Sequence, residues 1–205
     1  VAHKVAPALA SGNAIIIKPS QRTPLTALLL AEVVVRSGLP PAALQVVPAD
    51  VTFVNRYLED PRVAMISFTG SAVIGWDLKA KSGRKAITLE LGGTAPVIVD
   101  KTADFAKSVS RCVTGAFAYS GQVCISVQRI YVQPEIFPDW LSEFTLQAAK
   151  LRRGDPSDDN TQISVMIDEA AAIRAEKWIN EAKDAGAKIL TGGRREGNFL
   201  EPTVL

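Results

Sequence analysis

Short apolar runs rich in β-branched residues alternate along this chain with stretches whose apolar residues recur every three or four positions. The first kind reads as strand and the second as helix. AIIIK at 14–18, LQVV at 44–47, VAMISF at 63–68, KAITLE at 85–90, APVIVD at 95–100, RIYVQ at 129–133 and KILTGG at 188–193 are the expected strands. The expected helices run from Val1 to Gly12-Asn13 and from Thr23-Pro24 to Gly38, then near 51–59, 71–81, 104–119, 136–151 and 168–185. Thr23 and Pro24 stand as N-cap and first helical residue, and Gly38 followed by Pro40 and Pro41 is a helix stop. Strands apolar on both faces, separated by helices, imply an α/β fold with a parallel sheet covered on both sides. Gly92-Gly93 falls between two βα series, where it suits either a hinge between two α/β units or a tight turn within one sheet.

Charge removes several function classes. Lys plus Arg is 23 and Asp plus Glu is 21, a net charge of +2, which gives a nucleic acid no general attraction. The densest basic cluster, Lys79, Lys81, Arg84 and Lys85, lies at a helix end, where cations complement the helix dipole. The acidic run DPSDDN at 155–160 reads as a turn. AIIIK and TALLLAEVVV are too short and too interrupted to span a membrane. With no secretory signal at the start and only Cys112 and Cys124, reduced cytosolic chemistry is the expectation. The chain opens at Val1 inside a helical pattern and stops in the strand-like FLEPTVL, so both ends read as cuts in a longer protein.

Parallel sheets bind ligands beyond the C-terminal ends of their strands. Lys18, Thr69-Gly70-Ser71 and Glu90 occupy such ends. In FTGSAVIG, Gly70 and Gly75 bracket the passage from strand to helix, where free backbone N–H groups favour a phosphate, although a purely structural turn reads equally well. Lys18 is either a strand-end lysine extending to water or a partner for ribose hydroxyls or phosphate. Glu90, in ITLELGG, must be paired, near water or raised in pKa, and the last would suit a general base. Cys112 shares a helix face with Phe105, Val109, Ala116 and Phe117, a core position. Cys124, in AYSGQVCISVQRI, lies beyond Gly121 and outside any apolar stripe. His3 is the only histidine and reads as a helix-surface residue, so a metal site has no ligand cluster. Nucleophile is the leading reading of Cys124 and buried spectator the second.

FTGS, LELGG and GQVCISVQR stand in this order, preceded by APALASGN and by KPS with TPLTALLLAE. Together they resemble the aldehyde dehydrogenase superfamily from Val1 to EPTVL. The resemblance implies the second half of a parallel, Rossmann-like dinucleotide-binding domain over residues 1–92, then the first part of an α/β catalytic domain over 93–205. It makes Cys124 the catalytic thiol and Glu90 the general base. Lys18, Ser20 and Gln21 fall where the family binds the adenosine ribose, Gly70, Ser71 and Gly75 at its pyrophosphate turn, and Leu91 on the nicotinamide side. The implied cofactor is NAD or NADP, the implied partner is a small aldehyde, and the full-length parent is expected to be a homo-oligomer. Neither nucleic acid nor membrane is an expected partner, and no metal is expected.

Departures from the family pattern qualify these expectations. KPSQ replaces the common KPSE; neutral Gln21 beside Arg22 would not repel a 2′-phosphate, which makes NADP admissible. Thr94 replaces a common Lys, and Ser164-Val165 a usual Gly-Pro. The asparagine that completes the family's oxyanion hole would lie upstream of Val1, and the glutamate that holds the nicotinamide ribose downstream of Leu205. The segment by itself is therefore open to being inactive. Two other readings stay open: a non-catalytic nucleotide-binding remnant, and an enzyme that passes its acyl group to coenzyme A. Glu90 favours the hydrolytic, acid-forming type. The sequence does not single out one aldehyde.

Overall fold

The structure is a computed structural model that describes residues 1–205. The chain divides into two compact units, Val1–Leu91 and Gly92–Leu205. The changeover falls at the double glycine. Neither Gly92 nor Gly93 adopts positive φ, so nothing in the local backbone demands glycine there.

The first unit runs α1 (Ala2–Ala10), β1 (Ile15–Ile17), α2 (Leu25–Arg36), β2 (Leu44–Val46), α3 (Val54–Glu59), β3 (Met65–Thr69), α4 (Ala72–Lys81) and β4 (Ala86–Glu90). Strand β1 pairs in parallel with β2, and β3 with β4 in unbroken register from Met65↔Ala86 to Thr69↔Glu90. The helix between the members of each pair supplies the crossover that parallel strands need.

One expectation is corrected here. The α/β class and the parallel pairing stand as expected, with hydrogen bonds joining the strands two by two; what changes is the coverage, since the strands are not covered on both faces. Ile66, Phe68, Ile87 and Leu89 are half-buried, whereas Met65 keeps 53% of its surface exposed and Ile16 48%. Successive strand side chains point to opposite faces, so a single packed layer buries only every second residue. Val5, Ala27, Leu44, Leu58 and Leu78 are the buried anchors that the helices and β2 contribute. Helix α2 starts at Leu25 rather than after a Thr23 cap: no side chain caps it, and the Pro24 carbonyl accepts from the N–H groups of Ala27 and Leu28. It ends as expected, with Gly38 at φ 86°, a left-handed conformation that glycine adopts without steric cost.

The second unit runs β5 (Ala95–Val99), α5 (Phe105–Phe117), β6 (Val127–Val132), α6 (Phe137–Ala149), α7 (Glu169–Asp184), β7 (Arg195–Glu196) and β8 (Phe199–Leu200). Strands β5 and β6 are parallel, with a register shift between Ala95 and Pro96. Asp104 and Asp168 cap α5 and α7 by accepting the N–H groups of Lys107 and Ala171. The core gathers Val99, Val109, Cys112, Val113, Trp140, Phe144, Ala148 and Val204. Trp140 stacks on Phe144 with ring centroids 5.0 Å apart, and its indole N–H donates to Ser108 Oγ at 2.9 Å. A buried indole donor is thereby satisfied. Phe105, expected on the core face of α5, lies at its rim with 38% exposed. The outer face of the β5–β6 pair carries Ile98, 82% exposed, and Tyr131, 56% exposed.

The expected strand at 188–193 is also corrected. That segment makes only an isolated antiparallel bridge, Thr191 with Val204, and then turns at Gly192 and Gly193, which adopt φ 76° and 89°. A ladder of one bridge is too short for a strand. The C-terminal region is held instead by Arg195, whose guanidinium donates to Glu176 at 2.7 Å, to Glu169 at 3.3 Å and to the Gly197 carbonyl at 2.8 Å.

Phe144→Ala, which removes half of the buried aromatic stack, is expected to cost about 3–5 kcal/mol. Leu146→Ala, on the exposed side of the same helix, is expected to stay within about 0.5 kcal/mol of wild type. Urea titration followed by circular dichroism distinguishes the two.

Candidate active site

Lys18, Ser20 and Gln21 occupy the turn after β1. Lys18 Nζ donates to the Pro19 carbonyl at 2.9 Å, and Ser20 Oγ accepts from the Arg22 N–H at 3.3 Å. Gln21 Nε2 donates to Asp50 Oδ2 at 3.3 Å, while Asp50 Oδ1 accepts the Thr52 N–H at 2.8 Å. Hydrogen bonding from Thr52, then the contact with Gln21, lowers the Asp50 pKa, and the Lys18 charge adds a smaller pull in the same direction. Asp50 is a residue that the sequence alone does not single out. Its distance of 29 positions from Gln21 hides the contact, and only the parallel pairing of β1 with β2 brings the two following loops together.

The ends of β3 and β4 lie side by side. Thr69 is in register with Glu90, and the Gly70 N–H donates to the Glu90 carbonyl at 3.0 Å. Ser71 then turns the chain into α4 without a side-chain cap bond. The N–H groups of Ala72, Val73 and Ile74 have no backbone acceptor. Open donors at the positive end of a helix are the local requirement for holding a phosphate. Gly75 is buried because α4 lies close to the loop after β4: a Cβ there would sit 2.5 Å from Leu91 Cδ2. Gly75 and Leu91 are thus packing partners.

The Glu90 side chain is exposed to solvent, so of the three circumstances open to a strand-end carboxylate it has the one near water. It acts on Lys4 of α1: burial lowers the Lys4 pKa, and the Glu90 charge opposes that shift. Lys4 is another residue missed in the sequence. The available signal was its place beside Val5, at the flank of the apolar stripe of α1. Three members of the basic cluster at the end of α4 are engaged within the unit. Lys81 pairs with Asp77 at 2.7 Å, Lys85 Nζ donates to the carbonyls of Asp60 and Val63, and Lys79 lies over the Trp76 ring.

In the second unit, α5 runs into a tight turn that presents Cys124. Tyr119, Ser120 and Gly121 follow one another in the left-handed region, at φ 54°, 56° and 72°. For the two non-glycine residues this costs about 1–3 kcal/mol each, so surrounding contacts must hold the turn. Ser120 Oγ donates to the Ser164 carbonyl at 2.9 Å and accepts the Ser164 N–H at 3.0 Å. Gln122 Oε1 accepts the Ile167 N–H at 2.8 Å, and buried Ser126 donates to the Ala116 carbonyl at 3.1 Å. Between these ties, Cys124 is exposed and free, and its N–H has no backbone acceptor. Exposure removes the buried-spectator reading of Cys124. Cys112 is the buried cysteine, and desolvation raises its pKa. A cavity of about 470 Å³ in this unit, lined by Val113, Phe117, Gln147, Lys150, Leu151 and Ile163, contains none of the expected site residues.

Residues 1–205 match the aldehyde dehydrogenase family. A 3-sulfolactaldehyde dehydrogenase of Priestia aryabhattai is 43% identical over the whole of this chain, which spans 43% of that protein. Among solved structures, aldehyde dehydrogenase 21 of Physcomitrella patens, in complex with the product succinate, aligns with a TM-score of 0.91 at 40% identity. The alignment covers 98% of this chain and 42% of that one. A glyceraldehyde-3-phosphate dehydrogenase of Methanocaldococcus jannaschii complexed with NADP aligns with a TM-score of 0.91 at 37% identity, covering 98% of this chain and 45% of that one. The chain belongs to the aldehyde dehydrogenase family. It spans less than half the length of each of these relatives.

Two outcomes follow from the turn geometry. Iodoacetamide applied to the native protein is expected to label Cys124 and to leave Cys112 unmodified until denaturant is added, as peptide mass spectrometry would show. Ser120→Ala removes two hydrogen bonds of about 1 kcal/mol each, so exchange of the Ser164 amide should accelerate by roughly tenfold or more. Hydrogen–deuterium exchange reads this directly.

Proposed function

We propose that this chain carries the nucleophile and most of the adenosine side of an NAD(P)-dependent aldehyde dehydrogenase that converts a small aldehyde to its carboxylic acid. Residues 1–92 would belong to the dinucleotide-binding domain and 93–205 to the catalytic domain. Family membership supports the reading. The observation that carries it is an exposed cysteine on a turn whose unfavourable backbone is held by side-chain bonds on either side. Strain retained at a reactive side chain is characteristic of functional sites.

The residues present fit the cofactor. The unengaged N–H groups at the start of α4 suit a diphosphate, with Gly70 and Ser71 at the turn and Gly75 allowing the helix to lie close to Leu91. Lys18, Ser20 and Gln21 would take the adenosine ribose. When bound, the nicotinamide accepts the hydride that leaves the aldehyde carbon.

In this reading the Cys124 thiolate attacks the carbonyl carbon, forming a C–S bond and placing the negative charge on oxygen. The Cys124 N–H, which has no other partner in the backbone, is a donor to that oxyanion. Re-formation of the carbonyl as hydride departs leaves a thioester on Cys124. Glu90 then removes a proton from the water that attacks the thioester, and the thiolate leaves as the acid forms. A glutamate at this position favours water over coenzyme A as the acyl acceptor. Two free cysteines suit a reducing, cytosolic compartment, and the parent protein would assemble as a homo-oligomer.

An assay of nicotinamide reduction by aldehyde in the whole protein tests the reading. Cys124→Ser is expected to lower turnover by at least about 1000-fold. Glu90→Gln is expected to slow release of free acid by about 100-fold to 10,000-fold while leaving Cys124 open to acylation. Turnover that survives Cys124→Ser, or a coenzyme A thioester as the product, would overturn it.

A further inference from the structure

We propose that Asp50 makes this chain discriminate in favour of the dinucleotide with a free 2′-hydroxyl, NAD, and against its 2′-phosphorylated form. The proposal rests on the assignment of Lys18, Ser20 and Gln21 to the adenosine ribose. By sequence, a neutral Gln21 next to Arg22 leaves room for a 2′-phosphate. The fold changes the charge at that place. Gln21 Nε2 reaches Asp50 Oδ2 at 3.3 Å, so a carboxylate lies one hydrogen bond beyond the amide.

The carboxylate is held there by the backbone. Its other oxygen, Oδ1, accepts the Thr52 N–H at 2.8 Å, and Asp50 caps the short 3₁₀ turn at Val51–Phe53. One oxygen is thus anchored and the other is turned toward Gln21. A carboxylate oxygen accepts more than one hydrogen bond, so Oδ2 keeps capacity for a ribose hydroxyl while in contact with the amide. A carboxylate near the ribose accepts from the 2′-hydroxyl of NAD and repels the 2′-phosphate of NADP. The same hydrogen bonds hold Asp50 ionised across the physiological range. Lys18 and Arg22 are the cations of this turn. Lys18 Nζ is directed at the Pro19 carbonyl, and its charge is felt at Asp50, so part of its attraction for a phosphate is offset.

Equilibrium titration of the whole protein with NAD and with NADP, each by calorimetry, tests the assignment. Wild type is expected to bind NAD at least about tenfold more tightly than NADP, with the gap narrowing as salt screens the exposed carboxylate. Asp50→Asn keeps an acceptor for the Thr52 N–H and so preserves the cap while removing the charge; it is expected to bring the two affinities within about threefold. Adding Gln21→Glu to that variant returns a carboxylate to the turn and is expected to restore the preference for NAD. Equal or tighter binding of NADP by wild type, or an affinity ratio unchanged by Asp50→Asn, would overturn the assignment to Asp50 alone. Binding of neither dinucleotide would overturn the adenosine-site reading and this proposal with it.

Discussion

The turn that presents Cys124 has a backbone that is held where it does not spontaneously go. Three consecutive residues, Tyr119, Ser120 and Gly121, occupy the left-handed region between the end of α5 and Cys124. Two of them carry side chains that disfavour it. The compensation is local and nameable: both polar groups of the Ser164 peptide are taken by one serine hydroxyl, and Gln122 takes the Ile167 N–H. Each such bond contributes about 1 kcal/mol net, similar to the backbone cost it offsets. The result is a thiol exposed to solvent on a turn with few ways to relax.

The first unit meets a different constraint. Parallel strands place all their C-terminal ends on one side, and the register Thr69↔Glu90 aligns the glycine turn with the carboxylate. Gly75 then lets α4 close against Leu91. The same logic joins the loops after β1 and β2, which is how Gln21 meets Asp50. In each case a contact that is distant in sequence follows from strand pairing alone.

That difference explains what could be read in the sequence. The helices, and the strands from β1 to β6, were legible because their apolar spacing is a local property. So was the burial of Cys112, which its place in the stripe of α5 fixes. Coverage of the strands was not legible, because apolar residues on both faces, such as Ile98 and Ile16, do not say whether a second layer packs on them. The segment 188–193 reads as a strand by composition, yet has a single bridge because its partner at Val204 supplies only one paired position. Asp50, Lys4 and the Ser120–Ser164 bonds were hidden for a common reason: each acts through a contact across loops or elements rather than through a pattern along one element. The order of FTGS, LELGG and GQVC was enough to indicate the family, and family membership over the whole chain agrees with it.

The central claim is that Cys124 becomes acylated. Incubating the whole protein with an aldehyde and oxidised dinucleotide, followed by rapid acid quench and peptide mass spectrometry, tests it most directly. The account requires an acyl group on the Cys124 peptide, dependent on dinucleotide and absent from the Cys112 peptide. Reduced nicotinamide formed with no adduct on Cys124 at any quench time in the Glu90→Gln protein, or with the adduct on another residue, would contradict it.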